Sequence, residues 1–287
     1  MNDLGQDTLS RRDFIACGTG ALAVLGMSCS GGFLGLKGKS KIPIGLQLYS
    51  VRMETQKDFD KTVAAVAGYG YQGVEFAGYG NKSAADVRAL LDANGLKCCG
   101  THTGLDTMLG DAFQKTVEFN QTIGNKYLIV PSLPQQRRAT KQALLDTAKV
   151  FNEIAAMLKP LGMQVGYHNH TQEFQPIEGE YPLDILFGNT VQDVIVQLDI
   201  GWATAAKIDP AAYLKKYPGR AVTVHVKEHS STNREAFVGE GEVKWKDVFG
   251  VCESVAGTKW YIVEDERKTE QLPGVQKDLQ NLRAMGK

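Results

Sequence analysis

The chain beyond residue 40 is predicted to fold as one α/β domain, a (β/α)8 barrel, and three observations predict it. Short apolar runs rich in Val, Ile, Leu and Tyr alternate with longer segments of helical periodicity whose outer positions are charged. Eight such pairs occupy about 245 residues, the usual size of this barrel. The strand runs are almost continuously apolar, as a parallel sheet covered on both faces requires.

Taken in order, the first strand is expected in IPIGLQLYS (Ile42 to Ser50) and its helix over 58–69. GVEFAG (Gly73 to Gly78) precedes a helix over 83–94, LKCCGTHT (Leu96 to Thr103) one over 111–123, and KYLIVPS (Lys126 to Ser132) one over 138–159. QVGYHNH (Gln164 to His170) leads to a helix over 181–188, and VIVQLDIG (Val194 to Gly201) to one over 209–217. AVTVHVKE (Ala221 to Glu228) is followed by a helix over 244–256, and KWYIVEDE (Lys259 to Glu266) by the last, over 270–285. No G-x-G-x-x-G turn follows the first strand, which removes the dinucleotide-binding form of the rival doubly wound sheet.

Residues 1–40 are a separate text and 41–287 the barrel. In TLSRRDFIACGTGALAVLGMSCS, the run Ser10, Arg11, Arg12, Asp13, Phe14, Ile15 resembles a twin-arginine export leader, followed by a weakly apolar Gly/Ala stretch. No charge occurs from Phe14 to Leu36, but the many Gly and Ser residues make a poor membrane-spanning helix. Export by the twin-arginine route to the periplasm is the expectation. Cys29 is a candidate lipid-attachment residue and so a candidate membrane anchor, although Gly26-Met27-Ser28 matches a lipoprotein box only loosely.

The five cysteines do not form a disulfide framework: Cys17 and Cys29 lie in the leader, Cys98 and Cys99 are adjacent, and Cys252 has no evident partner. Buried free thiols are expected. Lys plus Arg equals Asp plus Glu at 32 each, so the chain lacks the cationic excess with which nucleic-acid binders displace counterions from phosphates.

A barrel enzyme carries its chemistry at the C-terminal ends of its strands. All five histidines, His102, His168, His170, His225 and His229, fall at or just past the ends of strands three, five and seven. Glu75, Asp199 and Glu264 end strands two, six and eight, and Lys227 lies in strand seven. Singly, His102 reads as a hydrogen-bonded turn residue, Glu75 as a helix cap or ion-pair partner, Lys227 as a solvated strand end, His229 as a loop residue, and Trp202 as core or the wall of a sugar site. Asp199 is harder to place inertly, because an ionised carboxylate after VIVQL is costly to bury without a partner or cation. Together, imidazoles from two strands and carboxylates from two others are able to converge on one divalent cation. Mixed N/O ligands suit Mn²⁺, Zn²⁺, Co²⁺ or Fe²⁺ better than Ca²⁺.

The runs IGLQLYSVR, GYQGVEFAG, THTGL, YHNHTQEF, LDIGW, HVKE and YIVEDE, in this order and spacing, resemble the xylose-isomerase-like TIM barrels over residues 42–287. That family includes sugar phosphate isomerases/epimerases, inosose dehydratases and endonuclease IV-type repair enzymes. The resemblance implies a divalent-metal enzyme with Asp199, His225 and Glu264 as ligands, and with His168 where the epimerases carry a strand-five Glu. Those epimerases use two glutamates to move a proton on either face of the substrate carbon. The His at 168 departs from that symmetry and is similar to the inosose dehydratase branch.

The reading that follows is a sugar isomerase/epimerase that removes a proton next to a carbonyl of an unphosphorylated keto-sugar or keto-glycoside, with a keto-sugar dehydratase as the alternative. A non-catalytic carbohydrate-binding lipoprotein is the second alternative. The endonuclease reading conflicts with the neutral charge. Glu264 or Glu173 is the expected base, His170 a proton-transfer or substrate-binding residue and Lys227 an oxyanion stabiliser; Glu75, His102 and Trp202 are expected to bind substrate.

Overall fold

The computed structural model describes residues 42–287; the segment read above as a leader, with its arginine pair and Cys29, lies outside the described residues. Eight parallel strands form one sheet: β1 (Ile44–Gln47), β2 (Gly73–Phe76), β3 (Lys97–His102), β4 (Tyr127–Val130), β5 (Gln164–His168), β6 (Ile195–Gln197), β7 (Thr223–Val226) and β8 (Trp260–Val263). Their order is β6-β5-β4-β3-β2-β1-β8-β7, and Gly45 of β1 pairs with Gly73 on one side and Ile262 on the other. Between the ends β6 and β7 no ladder forms among the described residues; they meet at an isolated bridge between Asp199 and His225, with the His225 N–H donating to Leu198 O at 3.0 Å and the Val196 N–H to Arg220 O at 2.9 Å. The sheet is a nearly closed barrel.

The helices wrap it as the periodicity predicts. They are α1 (Arg52–Lys57), α2 (Phe59–Tyr69), α3 (Ala84–Ala93), α4 (Ala112–Thr122), α5 (Gln135–Arg138), α6 (Lys141–Leu158), α7 (Pro182–Gly188), α8 (Ile200–Ala205), α9 (Pro210–Lys216), α10 (Trp245–Cys252) and α11 (Gln271–Ala284). Side-chain caps start several of them: Asp58 accepts from Lys61 N–H, Ser83 from Asp86 N–H and Thr140 from Ala143 N–H. Three short helices, α1, α5 and α8, were not expected. Two of them follow local events at strand ends. β1 stops at Gln47 because its side chain accepts from Tyr49 N–H (3.0 Å) and turns the chain toward α1. VIVQLDIG is likewise not one strand. Asp199 Oδ1 accepts from Trp202 N–H at 2.7 Å, so the carboxylate caps α8 instead of ending a strand. No helix among the described residues is long and apolar enough to cross a membrane.

Strand alternation sorts the side chains. Leu46, Val74, Val165, Tyr167, Val224 and Tyr261 face outward into the continuous apolar layer beneath the helices. Facing the axis, paired positions form two tiers. The lower holds Ile129, Gly166 and Ile195 in register, and the upper, further along the strands, holds the polar His168 and Gln197. Cys98, Cys99 and Cys252 are free and buried, and burial pushes the thiols of Cys98 and Cys252 up to about 12.

Gly166 sets the floor of the polar tier: a Cβ there would lie 2.7 Å from both Ile129 Cδ1 and Ile195 Cβ and 2.9 Å from Ile195 O. The last is backbone and does not move cheaply. Gly166→Ala is expected to destabilise the fold by about 1–3 kcal/mol, the usual cost of overpacking a filled core. Urea denaturation checks this, and an unchanged midpoint would mean the tier yields.

Candidate metal centre

His225 is the hub of the upper tier. It is wholly buried on β7, its Nδ1 2.5 Å from Glu264 Oε2 and 3.8 Å from Asp199 Oδ2, its Nε2 2.6 Å from Glu75 Oε2. Glu264 follows β8 directly. His168 ends β5, its ring centroid 4.5 Å from that of His225. One ligand atom each from His168, Asp199, His225 and Glu264 lies within 4.8 Å of the others. These are the four residues the sequence nominated. A second group with this property, His102, His168 and His225, shares two of them.

The electrostatics are those of a centre short of positive charge. Burial alone would push the His225 imidazole down, but Glu75 and Glu264 outweigh it and hold its pKa at about 10. Burial raises Asp199 to about 7, against the pull of Lys227. Burial also opposes ionisation of Glu264, yet Lys227 and His225 overcome it and hold the carboxyl well below its ordinary value. Burial, with His225 and His102 beside it, pushes His168 well down, so it presents a neutral ring.

Two buried atoms in this group have no hydrogen-bond partner, His168 Nδ1 and Asp199 Oδ2. Leaving such atoms unsatisfied costs about 1–3 kcal/mol each. Both belong to the four-residue group, and two carboxylates with two imidazole nitrogens are a donor set for a divalent transition metal. The residues fit such an ion.

Around this centre the structure places the other nominated residues. Lys227 is buried, its Nζ 2.7 Å from Glu266 Oε1, 3.6 Å from Glu264 Oε1 and 4.2 Å from the centroid of the Trp202 ring. His170 stacks edge-on to His168 at 5.0 Å and faces Trp202 at 5.9 Å, and burial holds its pKa below the ordinary value. His170 Nδ1 and Trp202 Nε1 are buried without partners, so this wall has polar atoms to offer a ligand. His102 Nε2 lies 3.0 Å from Gln197 Oε1 and 3.2 Å from Glu75 Oε2.

Two nominated residues are turned to other work. Glu173 does not join the centre as a base: its Oε1 accepts from Tyr167 OH (2.8 Å) and Gln172 Nε2 (3.1 Å), its Oε2 from His170 N–H (2.7 Å). It ties the loop after β5 to an outward-facing tyrosine. Glu75, expected to touch substrate, has no exposed surface and lies among Gln47, Gln197, His102 and His225. His229 is in the loop after β7, where its carbonyl accepts from Glu242 N–H, and belongs to neither group.

Sequence reasoning missed Gln47, Gln197 and Glu228. Glu228 accepts from the N–H groups of His229, Gly239 and Val243 and from Trp245 Nε1, which gathers the whole loop after β7 onto one carboxylate. Its position next to Lys227 was the available signal. The neutral amides offered none.

Comparison with known proteins agrees with this architecture. An inosose dehydratase of Glaesserella parasuis serovar 5 (strain SH0165) is 23% identical over 256 residues, covering 74% of this chain and 84% of that protein. Two crystal structures of sugar phosphate isomerase/epimerase proteins from Parabacteroides distasonis ATCC 8503 superpose with TM-scores of 0.74 and 0.73. They are 24% and 26% identical and cover 86% and 85% of this chain, and 96% and 98% of their own. The family model described as xylose isomerase-like TIM barrel matches residues 63–285, and the chain belongs to that family.

Proposed function

We propose that this protein is a divalent-metal-dependent sugar isomerase/epimerase that removes a proton next to the carbonyl of an unphosphorylated keto-sugar or keto-glycoside. The observation that carries the reading is the convergence of His168, Asp199, His225 and Glu264, with unpartnered buried atoms, beside a buried lysine. When bound, a divalent cation supplies Lewis-acid polarisation of a carbonyl and its neighbouring hydroxyl.

The chain's own residues do the rest. Lys227 holds Glu264 ionised, and the Oε1 that faces the lysine, free of His225, is the atom that accepts the α-proton. The Lys227 ammonium then neutralises the oxygen on which charge develops. His170, beside Trp202, takes a proton from solvent and delivers it to the substrate carbon, which returns the ring to the neutral state that burial favours. Trp202 gives the sugar ring a flat apolar face.

Glu75, Asp199, Glu264 and Glu266 gather here against Lys227, so a divalent cation brings the site near balance rather than to a positive excess. A neutral sugar suits that balance better than a phosphate does. Export of the protein through its leader would separate it from cytoplasmic sugar phosphates in the same sense.

Dehydration is the second reading. His168 stands where a second glutamate would make the site symmetric, and His170 beside it is placed to protonate a departing β-hydroxide. The curated relative carrying the name inosose dehydratase supports it. Deuterium uptake in D₂O, followed by NMR with metal-reconstituted protein and a panel of 3-keto-glycosides, keto-inositols and free ketoses, tests both. Exchange next to the carbonyl that disappears with EDTA is expected, and the product tells epimer from dehydrated sugar. Bound metal with no exchange on any substrate would leave a carbohydrate-binding protein instead.

A further inference from the structure

Glu75 lies too deep to touch a sugar, yet it is the most heavily hydrogen-bonded carboxylate of the upper tier. Its Oε2 accepts from Gln47 Nε2 at 2.8 Å and His225 Nε2 at 2.6 Å, with His102 Nε2 at 3.2 Å; its Oε1 accepts from Gln197 Nε2 at 2.8 Å. A neutral imidazole has one N–H, and an ionised carboxylate only accepts. Without a cation both ring nitrogens face carboxylates, Glu264 at Nδ1 and Glu75 at Nε2, and an imidazolium donates to both. A cation taken at Nδ1 would displace that proton, and the one N–H left to the neutral ring, on Nε2, would be held by Glu75.

The carboxylate also has a berth made for it. A Cβ on Gly100 would lie 2.4 Å from Glu75 Oε1 and 3.2 Å from its Cδ. Gly100 has no left-handed backbone angle that would demand glycine, so space for Glu75 is what a side chain there would take away. A register shift between Val74 and Glu75 in the β2–β3 pairing is what sets Gly100 opposite Glu75.

We propose that Glu75 is a positioning residue that fixes His225 as the Nε2–H tautomer and so presents Nδ1 to a divalent cation, with Gly100 as its required neighbour. This rests on the metal-centre reading above. A carboxylate behind a ligating histidine sets ring orientation and basicity, and its loss typically weakens metal affinity about 10–100-fold.

Calorimetric titration of Mn²⁺ and Zn²⁺ into wild type, Glu75→Gln and Gly100→Ala tests it, with urea denaturation in EDTA as the control for folding. Both variants are expected to bind about 10–100-fold more weakly. Gly100→Ala removes no charge, so its parallel loss separates positioning from simple charge balance. Long-range ¹H–¹⁵N correlation on the Zn²⁺-loaded wild type needs no variant and is expected to show His225 protonated at Nε2. A proton on Nδ1, or wild-type affinity in both folded variants, would overturn the proposal. Wild type that binds neither ion would overturn the metal reading beneath it, a distinguishable result.

Discussion

Glu264→Gln is expected to lower turnover of a keto-sugar by about 10²–10⁴-fold, the range over which a positioned base acts. The substitution is nearly isosteric and keeps an oxygen beside His225 Nδ1, so the ion-binding group is altered less than the base is. What is lost is the charge that Lys227 and His225 stabilise against burial. Lys227 Nζ would keep its contact with Glu266, so the wall over Trp202 is expected to stand. Deuterium exchange at the substrate α-carbon is the direct measurement, with metal content by mass spectrometry alongside. Unchanged exchange in a metal-loaded variant would move the base role elsewhere, and Glu173 is a poor heir because its carboxylate is already occupied by three donors.

Asp199→Asn is expected to change stability in opposite senses with and without metal. The side chain has two jobs on two atoms: Oδ1 caps α8, and Oδ2 is the unpartnered oxygen of the centre. An asparagine oxygen can keep the cap while the buried charge disappears. In EDTA the variant is therefore expected to be at least as stable as wild type, because no uncompensated carboxylate has to be buried. With Mn²⁺ or Zn²⁺ at about 100 times the dissociation constant, wild type is expected to gain about 2.7 kcal/mol by mass action, and the variant to lose most of that gain. Thermal denaturation in the two buffers shows whether the curves cross. Equal metal-induced stabilisation of both proteins would remove Asp199 from the ligand set.

Much of this architecture is legible in the amino-acid sequence. Parallel strands send their C-terminal ends to one face, so the positions of His168, Asp199, His225 and Glu264 within the apolar runs already imply convergence. The helices predicted over 58–69 and 83–94 match Phe59–Tyr69 and Ala84–Ala93 closely, because their apolar periodicity is long enough to be unambiguous. What the sequence does not carry is which way a polar side chain turns once it is there. Glu75 meets His225 across 150 residues of chain and Gln197 across 122, and no local pattern records such pairings. Glu173 fails in the reverse way, since its partners Tyr167, His170 and Gln172 are all near in sequence and it is consumed by them. The short helix α8 is hidden because one carboxylate serves as both cap and candidate ligand.

The join between β6 and β7 gives the centre a second meaning. His168 and Asp199 stand on one lip of the sheet, His225 and Glu264 on the other, and between the lips the ladder gives way to the isolated Asp199–His225 bridge and a backbone hydrogen bond from Val196 to Arg220. A cation held by all four would be a suture across the thinnest part of the wall. Its ligands would also part company whenever the lips did. On that reading, closing the barrel and assembling its chemistry are one event, and a molecule whose seam has opened has no active site to lose.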